Sequence, residues 1–124
     1  MNVLVIEDDN LLRRTLGHYL LDIGHMVSTC TNGQEAMDFI KTHPEIDCVI
    51  VDIFMPVLSG PAFILLLQKQ FQHNMPHVVV ISAAKDGRNF LTKLDVPFDA
   101  YIQKPIDFED LGQLLQSWEK KQAG

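Results

Sequence analysis

The sequence predicts an α/β fold: a five-stranded parallel sheet covered by five helices on its two faces. Three observations carry that prediction. Short runs in which every residue is apolar alternate with longer segments whose apolar residues recur at helical spacing. The alternation repeats five times, strand before helix. A strand that is apolar at every position has no solvent face, so the sheet is buried on both sides and its strands are joined by right-handed helical crossovers.

Val3-Leu4-Val5-Ile6 is the first predicted strand. From Asn10 to Ile23 the helical pattern sets Leu12, Leu16, Tyr19, Leu20 and Ile23 on one side, and Gly24 stops it. Met26 to Thr29 is a weaker strand. Gly33 to His43 reads as a helix with Ala36, Met37 and Ile40 on one face and Pro44 closing it. Cys48 to Val51 is the third strand, Phe63 to Phe71 an apolar-rich helix, and Val78 to Ile81 the fourth strand. A short helix around Asn89 to Leu94 carries Phe90, Leu91 and Leu94, and Ala100 to Gln103 is the last strand. The final amphipathic helix, Asp107 to Lys120, turns Leu111, Leu114, Leu115 and Trp118 inward. Asp107 suits its N-cap, and Lys120 and Lys121 suit its C-terminal end. Residues 1–121 thus read as one domain, and 122–124 as a frayed tail or the start of a linker.

Composition bounds the function. A chain of 124 residues, 47% hydrophobic and 21% charged, has the makeup of one globule with a real core. Its formal net charge of −6 argues against a direct grip on nucleic acid by this domain, which needs clustered Lys and Arg. No apolar run approaches a membrane span, and the chain opens directly into a strand pattern, so a soluble cytoplasmic protein is expected, without membrane contact. The two cysteines, Cys30 and Cys48, have no metal-ligand spacing; Cys48 opens an apolar run and reads as a small core residue.

In open α/β sheets ligands bind outside the carboxyl ends of the strands. Glu7, Asp8 and Asp9 follow the first strand, Asp52 the third, Ser82 and Ala83 the fourth, Lys104 and Pro105 the fifth. Taken singly, each has an ordinary reading. An acidic run is a helix start, Asp52 a turn or cap residue, Ser82 an N-cap, and Lys104 a surface lysine. Together they bring carboxylates and one ammonium to one sheet edge, where the carboxylates repel unless a cation relieves them. A hard divalent ion such as Mg²⁺, which takes oxygen ligands, fits that need.

Four runs carry a resemblance: Val3-Leu4-Val5-Ile6-Glu7-Asp8-Asp9, Val51-Asp52-Ile53-Phe54-Met55-Pro56, Val80-Ile81-Ser82-Ala83 and Tyr101-Ile102-Gln103-Lys104-Pro105. In that order and spacing they resemble the motifs of response-regulator receiver domains, over essentially the whole chain. The resemblance implies a flavodoxin-like doubly wound sheet in the order 2-1-3-4-5. It implies that Asp52 is the phosphoacceptor and that Mg²⁺ is held by Asp8, Asp52 and the backbone carbonyl of Phe54, with Glu7 acting through water. Ser82, Ala83 and Lys104 match the phosphoryl-binding positions. Ser82 and Tyr101 match the switch pair, Pro105 a proline after a cis peptide bond, and Gly60 the glycine after the acceptor strand. Asp9 reads as a helix cap. Phe54 and Ala84 stand where family members tune dephosphorylation. The implied partners are a sensor histidine kinase or histidine phosphotransfer protein upstream and a downstream protein or effector domain. The face built from the fourth helix, fifth strand and fifth helix would change shape between the two states.

Other readings fit less well. An aspartyl phosphatase of the haloacid-dehalogenase kind carries a second Asp two residues after the nucleophile, where this chain has Phe54. A dinucleotide-binding fold needs a glycine-rich loop after the first strand, and none follows it. The alternative kept open is a pseudo-receiver, a protein-binding module that works without phosphorylation.

Overall fold

The computed structural model describes residues 1–123, with side chains as far as Glu119. Five strands, β1 (Asn2–Ile6), β2 (Met26–Cys30), β3 (Cys48–Asp52), β4 (His77–Ser82) and β5 (Ala100–Gln103), form one sheet. Its order is β2-β1-β3-β4-β5 and every pairing is parallel, as the sequence reading expects. The helices are α1 (Asn10–Asp22), α2 (Gly33–Thr42), α3 (Gly60–Phe71), α4 (Gly87–Lys93) and α5 (Phe108–Ala123).

Successive strand residues point to opposite faces, so two separate cores are needed. Leu4 and Ile6 of β1 join Val49, Val51, Val78 and Val80 on one face, under Ala36, Ile40, Phe63, Leu67 and Leu91 from α2, α3 and α4. Val3 and Val5 join Cys48, Ile50, Val79 and Ile81 on the other, under Leu16 and Leu20 of α1 and Leu111 and Leu115 of α5. This double demand is why the strands are apolar throughout.

Local chemistry sets the helix starts. Asp9 accepts the Leu11 amide, Asn32 the Glu35 amide, Ser59 the Ala62 amide and Asp107 the Asp110 amide. Several boundaries differ from the sequence reading. α3 begins at Gly60 rather than Phe63, because Ser59 caps it and Pro61 suits a first turn. α4 begins at Gly87, two residues before Asn89. Ile23 is not inward: it lies at the α1 C-cap and is 43% exposed. α5 carries helical backbone through 122 and 123, which the sequence reading places in a tail; Gly124 of that tail, and the side chains of Lys120 and Lys121, lie outside the described residues. Cys30 and Cys48 are free and buried.

Candidate functional site

Register brings the strand ends level. Ile6 pairs with Val51, Asp52 with Ile81 and Ser82 with Gln103, so the residues that finish or follow β1, β3, β4 and β5 meet at one edge. The Lys104 amide donates to the Ser82 carbonyl at 2.8 Å, continuing the ladder by one residue. The Lys104–Pro105 peptide bond is cis. Gly60 folds the chain back under β3: its amide donates to the Ile53 carbonyl, and a β-carbon there would overlap the Asp52 carbonyl oxygen.

Lys104 Nζ donates to Glu7 Oε1 and to Asp52 Oδ2, both at 2.7 Å. Glu7 is fully buried and Asp52 is 6% exposed, so this one ammonium bridges two desolvated carboxylates. The second Glu7 oxygen accepts the Asp9 amide, and Asp52 Oδ1 accepts the Phe54 amide. Burial pushes the Glu7 carboxyl above the usual carboxylate range, and its hydrogen bond from Lys104 draws it only part of the way back. Burial disfavours the Lys104 charge as well, but its bonds to Asp52 and Glu7 outweigh that and hold the ammonium above its ordinary range. Glu7, Asp8 and the Asp52 carboxylate each place an oxygen within 4.8 Å of the others. Three carboxylates against one ammonium leave the cluster with excess negative charge. An all-oxygen donor set with that excess suits a hard divalent cation such as Mg²⁺.

A second group adjoins this one. The buried Ser82 hydroxyl accepts the Ala84 amide at 3.1 Å, and the Tyr101 hydroxyl donates to the Ala84 carbonyl at 2.7 Å. Ala84 therefore holds both side chains through its own backbone. Phe54 is 65% exposed beside the acidic cluster, so its ring is not packed into a neighbouring loop.

A family model described as the response regulator receiver domain matches residues 3–116. The chain belongs to that family. Among curated proteins this receiver domain is 32% identical over 116 residues to a probable transcriptional regulator, ycf27, of Cyanidium caldarium, covering 94% of this chain and 45% of that one. It is 30% identical over 109 residues to the response regulator ArlR of Staphylococcus aureus, covering 88% and 48%. The chain thus spans about half the length of these curated relatives. The chemotaxis protein CheY4 of Vibrio cholerae superposes with a TM-score of 0.83 at 26% identity, covering 94% of this chain and 96% of that one. Receiver domains of response regulators are signalling modules. Among the described residues no helix is long and apolar enough to cross a membrane.

Two residues of this receiver domain's site escape a reading by strand ends. Arg13, one turn into α1, donates to the Glu7 carbonyl at 2.9 Å and to Asn10 Oδ1 at 2.6 Å, bracing the acidic loop. A basic residue one turn after an acidic run is the only signal for it. Gly87, buried at the start of α4, lies against Tyr101, and no local pattern marks it.

Proposed function

We propose that this receiver domain takes a phosphoryl group onto Asp52 from a phosphohistidine on a sensor histidine kinase or a histidine phosphotransfer protein. The observation that carries it is the Asp52 carboxylate at the end of β3, nearly buried, bonded to Lys104 and grouped with Glu7 and Asp8. An Asp52 oxygen bonds to phosphorus as the phosphorus–nitrogen bond breaks, and the departing imidazole nitrogen keeps the electron pair. Such transfers pass through a loose transition state with charge spread over three oxygens, so catalysis is positioning and electrostatics. The Lys104 ammonium, the Ser82 hydroxyl and the Ala83 amide meet those oxygens. Asp8, Asp52 and the Phe54 carbonyl would hold Mg²⁺, which supplies charge neutralisation to the phosphoryl oxygens when bound. Glu7, wholly buried beside Lys104, acts at one remove through water.

Once Asp52 carries the phosphoryl group, Ser82 turns towards it, and the Tyr101 position bonded to the Ala84 carbonyl gains population. The face of α4, β5 and α5 then changes shape for a downstream protein or effector domain, a population shift driven by added charge. The domain acts in the cytoplasm and makes no direct contact with nucleic acid. The test is incubation with a small phosphodonor and Mg²⁺ followed by intact-mass measurement. The wild type gains one phosphoryl group and Asp52→Asn gains none. Equal modification of both proteins removes Asp52 as the acceptor.

A further inference from the structure

Gly87 begins α4 and is buried, yet its backbone does not adopt the left-handed conformation that favours glycine; among the described glycines only Gly24 does. Glycine is a poor helix residue, so conformation does not account for it. Space does. A β-carbon on Gly87 would overlap the Tyr101 hydroxyl oxygen and lie 2.7 Å from Cζ and 2.8 Å from Cε2 of the ring. Two of these atoms belong to a ring that is half-buried against the core, so the neighbour cannot yield by a small bend. The ring has a further contact: the Arg88 guanidinium lies 5.9 Å from its centroid and 5.5 Å from that of Phe98.

We propose that Gly87 is the positioning residue of the Ser82–Tyr101 switch. Tyr101 reaches the Ala84 carbonyl because position 87 carries no side chain, and Arg88 covers the seated ring. The proposal rests on the receiver reading above. Ala84 binds Ser82 through its amide and Tyr101 through its carbonyl, so the seat is linked to the hydroxyl that would meet the phosphoryl group. A seated Tyr101 and an occupied Asp52 favour each other on that reading. Linkage is reciprocal, so closing the seat weakens binding of a phosphoryl analogue at a site that the substitution does not touch.

The experiment compares wild type, Gly87→Ala, Tyr101→Ala and the double variant by urea unfolding. Alanine in a helix normally raises stability over glycine. Here Gly87→Ala lowers the unfolding midpoint when Tyr101 is present and raises it when residue 101 is alanine. If Gly87→Ala alone does not fold, the double variant does. A midpoint raised equally in both backgrounds, or a double variant that also fails to fold, overturns the proposal. The second arm titrates beryllofluoride with Mg²⁺ into folded wild type and Gly87→Ala, or into wild type and Tyr101→Ala, which empties the seat, if the Gly87→Ala variant is unfolded. The substitution weakens binding roughly fivefold or more, in the usual range of intramolecular coupling. Unchanged affinity shows that the seat is not coupled to the acceptor and overturns the switch role. A wild type that binds no beryllofluoride refutes the phosphoacceptor reading instead, and the unfolding cycle still decides whether Gly87 makes the seat.

Discussion

His25 shows how one buried side chain writes a pH dependence into the fold. It sits between α1 and β2 at 5% exposure, with Nδ1 3.2 Å from the Met1 ammonium and 3.0 Å from Glu119 on α5. An ammonium can only donate, so its bond to Nδ1 requires that nitrogen to be unprotonated. The same ammonium bonds Glu119 at 2.7 Å and so serves as its cation. Burial, helped by the Met1 charge and opposed by Glu119, holds the His25 imidazole below its usual range. The unfolded chain, with an imidazole near about 6.5, then binds more protons than the folded one below that pH. Stability is fully present above about 6.5 and is lost as pH falls from there towards the folded value. His25→Gln removes this loss and flattens the curve in that window. Urea midpoints followed from neutral pH down to about one unit below the free imidazole value check it. Parallel curves for the two proteins mean that other groups set the slope.

At the scale of elements, most of what the sequence discloses is what period and burial together force. β3 is apolar from Cys48 to Val51 because its alternate residues face two different cores, and no single-faced strand requires that. Glu7, Asp52 and Lys104 are legible as a group because parallel strands end on one edge, and chain order alone brings them there. α3 is less legible: hydrophobic period points to Phe63, whereas Ser59 and Pro61 start the helix through capping, which period does not report. Gly87 is illegible, since its partner Tyr101 lies fourteen positions on and only the folded structure brings them together. The loops after β3 and β4 carry a prediction of their own. Phe54 stands two residues beyond Asp52 and is exposed, while Ala84, two beyond Ser82, offers no side-chain group to orient a water. Hydrolysis of an acyl phosphate needs a water held in line, and neither an apolar ring nor a methyl group can hydrogen-bond one. Phe54→Asn with Ala84→Glu therefore speeds loss of phosphate while leaving Mg²⁺ affinity nearly unchanged. First-order decay after donor removal is the measurement, and a double variant that decays no faster than wild type shows that these side chains do not gate the water.

At the scale of the whole molecule, a sheet buried on both faces leaves charge nowhere to gather but its edges. The carboxyl-end edge holds Glu7, Asp8 and Asp52 in a protein whose net charge is already −6. Lys104 bridges two of the three through direct bonds, and Asp8 is exposed beside them. Like charges about 5 Å apart at a partly exposed site cost on the order of 1 kcal/mol at low salt, and less as salt rises. Asp8→Asn removes much of that repulsion and keeps the side chain's size. The metal-free variant is therefore more stable than the metal-free wild type, by roughly 1 kcal/mol or about 3–5 °C in Tm for a chain of this size. The same substitution removes an oxygen donor with full charge, so it weakens Mg²⁺ binding, the exchange of function for stability expected at a site. A ligand that binds only the folded chain stabilises it, so Mg²⁺ at ten times its Kd is expected to add about 1.4 kcal/mol to the wild type. Asp8→Asn gains little at that concentration. Thermal melts with EDTA and with Mg²⁺, at low and moderate salt, separate the two effects. A metal-free variant that melts below the wild type means that Asp8 supports the fold through contacts worth more than the repulsion it brings.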